Sequence, residues 1–113
     1  MIWTEANEMK IKLVDVADVI RSKNSGPYEI TFDIIFKDRK MFSDICSKKI
    51  IDQKLIAGLY GISEDEVINI IEFTPANAIK ATIVRPLPSG SLGETDVYGA
   101  QQHAPLIELE IDV

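Results

Sequence analysis

The chain has 113 residues, a net charge of −6, one cysteine and one histidine. That length fits one domain, burying roughly two-thirds of the surface its unfolded chain would expose. The negative charge argues against a broad footprint on nucleic acid or anionic membrane, though it leaves room for a local basic pocket. A lone thiol cannot staple the fold, so stability is expected from packing, as in a reducing cytoplasm. No apolar run approaches the ~18 residues of a membrane span, and no apolar core follows a basic start.

Residues 1–9 (MIWTEANEM) are mostly polar and read as a flexible N-terminal extension, with 10–113 as a single domain. Lys10–Arg21 (KIKLVDVADVIR) satisfies neither the helical nor the strand period. Its β-branched Ile11, Val14, Val16, Val19 and Ile20 favour a strand, with a helix as the alternative. Arg21–Pro27 (RSKNSGP) reads as the loop to the next strand. In Tyr28–Phe36 (YEITFDIIF), Tyr28, Ile30, Phe32, Ile34 and Phe36 alternate with Glu29, Thr31 and Asp33, which predicts a half-buried strand with one wet face.

The period then changes. Asp38 is placed to cap a helix carrying Met41, Phe42, Ile45, Cys46 and Lys49 at helical spacing. In that setting Cys46 reads as a small apolar residue rather than a nucleophile. Asp52 is placed to cap a second helix with Leu55, Ile56 and Leu59, closed by a left-handed Gly61. Ser63–Glu66 (SEDE) has the form of a capping box and predicts a short helical turn. Val67–Phe73 and Ala78–Val84 are β-rich and flank Pro75 and Asn77, which predicts a hairpin. The run KLIAGLYGISEDEVINII superficially resembles a DNA-binding helix-turn-helix. Its recognition helix would present Glu64, Asp65, Glu66 and Glu72 to phosphates, so the electrostatics oppose that reading. Leu106–Val113 (LIELEIDV) predicts a last strand with Ile107, Leu109, Ile111 and Val113 facing in.

Arg85–Pro105 (RPLPSGSLGETDVYGAQQHAP) has neither period, and loops of ~20 residues inside a compact domain are often functional. Gly90, Gly93 and Gly99 let a ligand approach backbone N–H groups, and Ser89, Ser91, Gln101 and Gln102 add neutral hydrogen-bonding groups. Arg85 and His103 stand near its ends. The competing reading is a long connection packed across the sheet. In the earlier loop, Arg21 and Lys23 beside Asn24 suit a phosphate or carboxylate, against the plainer reading of a solvated turn. The candidate site therefore comprises Arg21, Lys23, Asn24, Arg85, Ser89, Gly90, Ser91, Gln101 and Gln102 as ligand-binding residues. His103 is the candidate general acid or base. The site requires the two segments to meet. No metal-ligand spacing is present, and SGSLG lacks the Gly-Lys-Ser/Thr end of a phosphate-binding loop, so neither metal nor cofactor is expected.

VIRSKNSGPYEITFDIIF and RPLPSGSLGETDVYGAQQHAPL together closely resemble the small proteins classed as domain of unknown function 4387. The likeness runs from about Lys12 onward. That family is similar to, and typically encoded beside, proteins related to the acyclic terpene utilisation protein AtuA, some of which carry a C-terminal domain described as ferredoxin-like. The resemblance implies an α+β fold, ferredoxin-like or a related two-layer sandwich, with a mostly antiparallel sheet and helices on one face. It also implies an accessory subunit that partners an AtuA-like protein in catabolism of a carboxylate or acyl-CoA. The alternatives are a stand-alone homo-oligomeric lyase, isomerase or hydratase, and a purely structural interaction module. The family brings no catalytic assignment with it.

Overall fold

A computed structural model describes residues 10–84 and 104–112. Its centre is a four-stranded antiparallel sheet in the order β2–β3–β5–β4, formed by β2 (Ala17–Asn24), β3 (Glu29–Phe36), β4 (Val67–Phe73) and β5 (Ala78–Val84). β3 runs antiparallel to β5, and β5 antiparallel to β4, so β3 and β4 are parallel with β5 between them. The two helices α2 (Arg39–Ser47) and α3 (Gln53–Tyr60) connect them, which makes a split β–α–β unit. The strand order is that of a ferredoxin-like sheet whose last strand has moved to the front of the chain. The expected α+β, two-layer, antiparallel architecture is the one found.

The helices sit where capping chemistry starts and stops them. Asp38 accepts a hydrogen bond from the Met41 N–H at 2.8 Å, and Asp52 accepts one from the Leu55 N–H at 2.9 Å. Gly61, at φ 66°, closes α3 in the left-handed conformation that glycine adopts without a Cβ penalty. Ser63 and Glu66 form the expected capping box around one 3-10 turn. A strand follows it, not a recognition helix. The β4–β5 hairpin turns through Thr74–Ala76 and a left-handed Asn77, and Arg39 clamps that turn through Asn77 Oδ1 at 2.6 Å and the Thr74 carbonyl at 3.1 Å.

One sheet face packs on the helices. Ile30, Phe32, Ile34 and Phe36 from β3 and Ile79, Ala81 and Ile83 from β5 are buried there with Phe42, Ile45 and Ile56. Phe32 stacks on Tyr60 with ring centroids 4.7 Å apart.

Three sequence expectations change. The ambiguous segment 10–21 is a strand, one helical turn and a second strand: β1 (Lys10–Lys12), α1 (Leu13–Val16), then β2. The mixed period reflects changes of state within the run. Arg21–Pro27 is not a loop, because β2 continues to Asn24, with Arg21, Ser22, Lys23 and Asn24 in register with Asp33, Phe32, Thr31 and Ile30. Its polar composition belongs to an edge strand, and the turn proper holds Gly26 at φ 111° and an exposed Tyr28. Leu106–Val113 is not one strand either. α4 (Ala104–Ile107) is a helical turn that buries Leu106 and exposes Ile107, and only β6 (Glu110–Asp112) pairs, with β1. Ile111 is buried as expected. The extension 1–9 lies outside the described residues.

Candidate functional site

Among the described residues the second face of the sheet carries no helix, and its side chains form rows that follow from register. Strand alternation puts Val19, Arg21 and Lys23 of β2 on the same side as Glu29, Thr31, Asp33 and Ile35 of β3. Opposite them stand Ala78, Lys80, Thr82 and Val84 of β5, and then Phe73, Ile71 and Asn69 of β4. One row is apolar: Val19, Ile35, Ala78, Phe73. The next is ionic and ends apolar: Arg21, Asp33, Lys80, Ile71. The third is polar: Lys23, Thr31, Thr82, Asn69.

The ionic row is the chemical centre of this face. Asp33 lies at the middle of a central strand and is 2 % exposed. Arg21 Nε donates to its Oδ2 at 2.8 Å, and Lys80 Nζ stands 3.2 Å from Oδ1. The Lys80 contact is an ion pair whose direction falls outside hydrogen-bond geometry, so Oδ1 is held by charge rather than by a directed bond. Burial pushes the Asp33 carboxyl up. The Arg21 hydrogen bond, the Lys80 contact and both positive charges outweigh that, and hold it below its ordinary value. Asp33 is therefore an anion at neutral pH, shared by two cations.

Both cations stay accessible, with the Arg21 side chain 59 % exposed and the Lys80 side chain 43 % exposed. The Arg21 bond to Asp33 uses Nε. A guanidinium has five N–H donors in a fixed fork, so four are not consumed by that bond. Asp33 thus acts as a positioning residue for two solvent-facing cations, with Lys23 in the neighbouring row. Ser25 Oγ and Thr31 Oγ1 are 2.8 Å apart, and Thr31 Oγ1 and Thr82 Oγ1 are 3.1 Å apart, so hydroxyls run from the β2–β3 turn across β3 and β5 beside the cations. Glu29 is the counterweight at that end of the face.

Of the residues predicted from sequence, Arg21 and Lys23 come together here. Asn24 is in register with Ile30, on the parity of the helix-packed face, and does not join them. Arg85, Ser89, Gly90, Ser91, Gln101, Gln102 and His103 lie outside the described residues. The flanking positions are informative. Val84 pairs with Glu29, so the chain leaves β5 at the sheet end where β2 turns into β3. It returns at α4, which packs against α1 and α3 on the helix side. Asp33, Lys80, Thr31 and Thr82 were missed as site residues. Their signal was present as wet-face positions in YEITFDIIF and AIKATIV, but the pairing of Asp33 with Lys80 depends on a register that no local pattern states.

The remaining chemistry is quiet. Burial, and then Glu72, push the Cys46 thiol up to about 11, which keeps it protonated and unreactive. A groove lined by Lys49, Ile51, Asp52, Gln53, Ile70 and Glu72 carries two carboxylates, which disfavour an anionic ligand. Among the described residues no group of three or more His, Cys, Asp or Glu side chains is placed to hold a metal. No helix among them is long and apolar enough to cross a membrane.

A family model described as "Domain of unknown function (DUF4387)" matches residues 13–110. No curated protein and no solved structure matches.

Proposed function

The chain belongs to the family of domain of unknown function 4387, and we propose that it is an accessory subunit that docks on a larger AtuA-like protein and holds an anionic metabolite on its open sheet face. The metabolite class is a carboxylate or an acyl-CoA. The observation that carries this reading is the Arg21–Asp33–Lys80 cluster: two accessible cations fixed by one buried carboxylate, on a chain whose net charge is −6. With Lys23 included, the cluster has an excess of two positive charges before Glu29 is counted.

The roles follow from geometry. Arg21 presents its free guanidinium edge to the anion, in the fork that matches a carboxylate or phosphate. Lys80 and Lys23 supply point charges, and the linked Ser25, Thr31 and Thr82 hydroxyls, two of whose three protons bond within the chain of hydroxyls, leave one neutral donor. The exit of the chain at Val84, beside Glu29, supports including Arg85 as a further cation. His103 is the proton-handling candidate of this proposal, and Ser89, Gly90, Ser91, Gln101 and Gln102 are its further polar contacts. The stand-alone lyase, isomerase or hydratase reading rests on His103, and nothing among the described residues favours it.

The test is co-expression with an AtuA-like protein, followed by affinity purification and mass determination of the complex. The expected result is copurification at fixed stoichiometry, with Arg21→Gln raising the KM of the assembled enzyme for its anionic substrate and leaving assembly intact. Absence of association would refute the accessory role. Association with unchanged kinetics in Arg21→Gln would reduce the chain to a structural module.

A further inference from the structure

The two edges of the central sheet are built differently. Both edge strands have a register irregularity, between Ala17 and Val19 in β2 and between Val67 and Asn69 in β4, so the difference lies in charge: β2 carries Asp18, Arg21 and Lys23 as exposed charges. Exposed charges of this kind keep a sheet edge from pairing with another chain. Edge strand β4 (VINIIEF) has no lysine, arginine or proline. Its one charged residue, Glu72, lies 3.9 Å from Lys49 of the same chain. Ile68, Ile71 and Phe73 on this strand are 44 %, 50 % and 47 % exposed.

Among the described residues no strand pairs with the outer edge of β4, and such an edge presents unpaired backbone N–H and C=O groups flanked by apolar side chains, a template for another strand. We propose that it is filled by β4 of a second copy, running antiparallel about a two-fold axis and joining two four-stranded sheets into one of eight. Three observations single out a second copy. The backbone edge demands an extended strand. A nearly uncharged strand meets its own copy without the repulsion that the rest of this acidic chain would impose. An isologous contact closes at two and leaves only the charged β2 edges outside. An axis at Ile70 pairs Asn69 with Ile71 and separates the two Glu72 carboxylates by four residues along the ladder, about 14 Å. Both open faces then lie on the same side of the joined sheet, with the Ile71 side chains between the two cation clusters. This inference does not rest on the accessory role proposed above.

Sedimentation of the full chain tests it. The wild type is expected at the mass of a dimer, and Ile71→Lys at half that mass with an unchanged far-UV circular dichroism spectrum. Tyr28→Lys makes the same exposed apolar-to-lysine change in the β2–β3 turn and is expected to leave the dimer intact. Ile70→Cys in a Cys46→Ser background places each thiol opposite its own copy, within disulfide reach of ~5.5 Å between Cα atoms. It is expected to oxidise to a covalent dimer. A monomeric wild type overturns the proposal, as does a dimer that survives both Ile71→Lys and Phe73→Lys.

Discussion

Removing Arg21 should cost more stability than removing the charge it pairs with. Asp33 is buried, while both of its cations are substantially solvated. Arg21→Ala deletes a 2.8 Å charge-assisted bond and leaves a buried carboxylate with Lys80 alone. Stranding a fully buried charge costs ~3–5 kcal/mol. Lys80 remains and Arg21 is itself largely in water, so the expected loss falls to about 2 kcal/mol. Asp33→Asn removes the buried charge and leaves two cations that water can solvate, for a loss of about 1 kcal/mol. In the double variant nothing buried is left charged, so its cost should stay near that of Asp33→Asn, giving a coupling of roughly 2 kcal/mol. Urea unfolding at one fixed protein concentration reads all four species. With slopes of ~1–3 kcal/mol/M, Arg21→Ala should lower the midpoint by about 1 M. The pH dependence has a definite sign. The Asp33 carboxyl lies lower in the folded chain than in the unfolded one, so its stabilisation is present above the unfolded value near 4 and disappears as pH falls through the folded value. The gap between wild type and Asp33→Asn should close in acid. Equal single costs that simply add would refute the clamp.

Phe32 is fully buried and stacked on Tyr60, so Phe32→Ala should cost ~3–5 kcal/mol, measured by the same urea titration. Asp38→Ala and Asp52→Ala each delete an N-cap bond and should cost about 1 kcal/mol apiece, additively, because they start separate helices. Cys46, with its thiol pushed up to about 11, should react with iodoacetamide at pH 8 on the order of a hundredfold more slowly than an ordinary thiol, and Glu72→Gln should narrow that gap.

What could be read from the sequence was what local chemistry determines. Asp38, Asp52 and Gly61 announced the helix ends because capping is a matter of a few adjacent residues. The buried side of β3 followed from strict alternation in YEITFDIIF. The C-terminal run LIELEIDV alternates just as cleanly, yet Leu106 is buried within a helical turn and Ile107 faces out. Tertiary contact decided there: the Leu13 N–H donates to the Leu109 carbonyl, and β1 offers a partner of only three residues. Arg21 and Lys23 were identified as cations suited to an anion, but their polar neighbours made an edge strand look like a loop. The partner that defines their chemistry, Asp33, is twelve residues from Arg21 in the chain and is read alone as a wet-face residue. Lys80 reaches it only because β5 inserts between β3 and β4, a topological fact with no local trace.

The most direct test of the open face as an anion site is a 1H–15N NMR titration of the chain with acetyl-CoA, and with succinate as the simple carboxylate. Anion binding on this face is expected to give saturable shifts centred on the Arg21 side chain and the backbone amides of Lys23, Thr31 and Lys80, lost in Arg21→Gln. Shifts confined to the helix face, or a titration unaffected by Arg21→Gln, would contradict it.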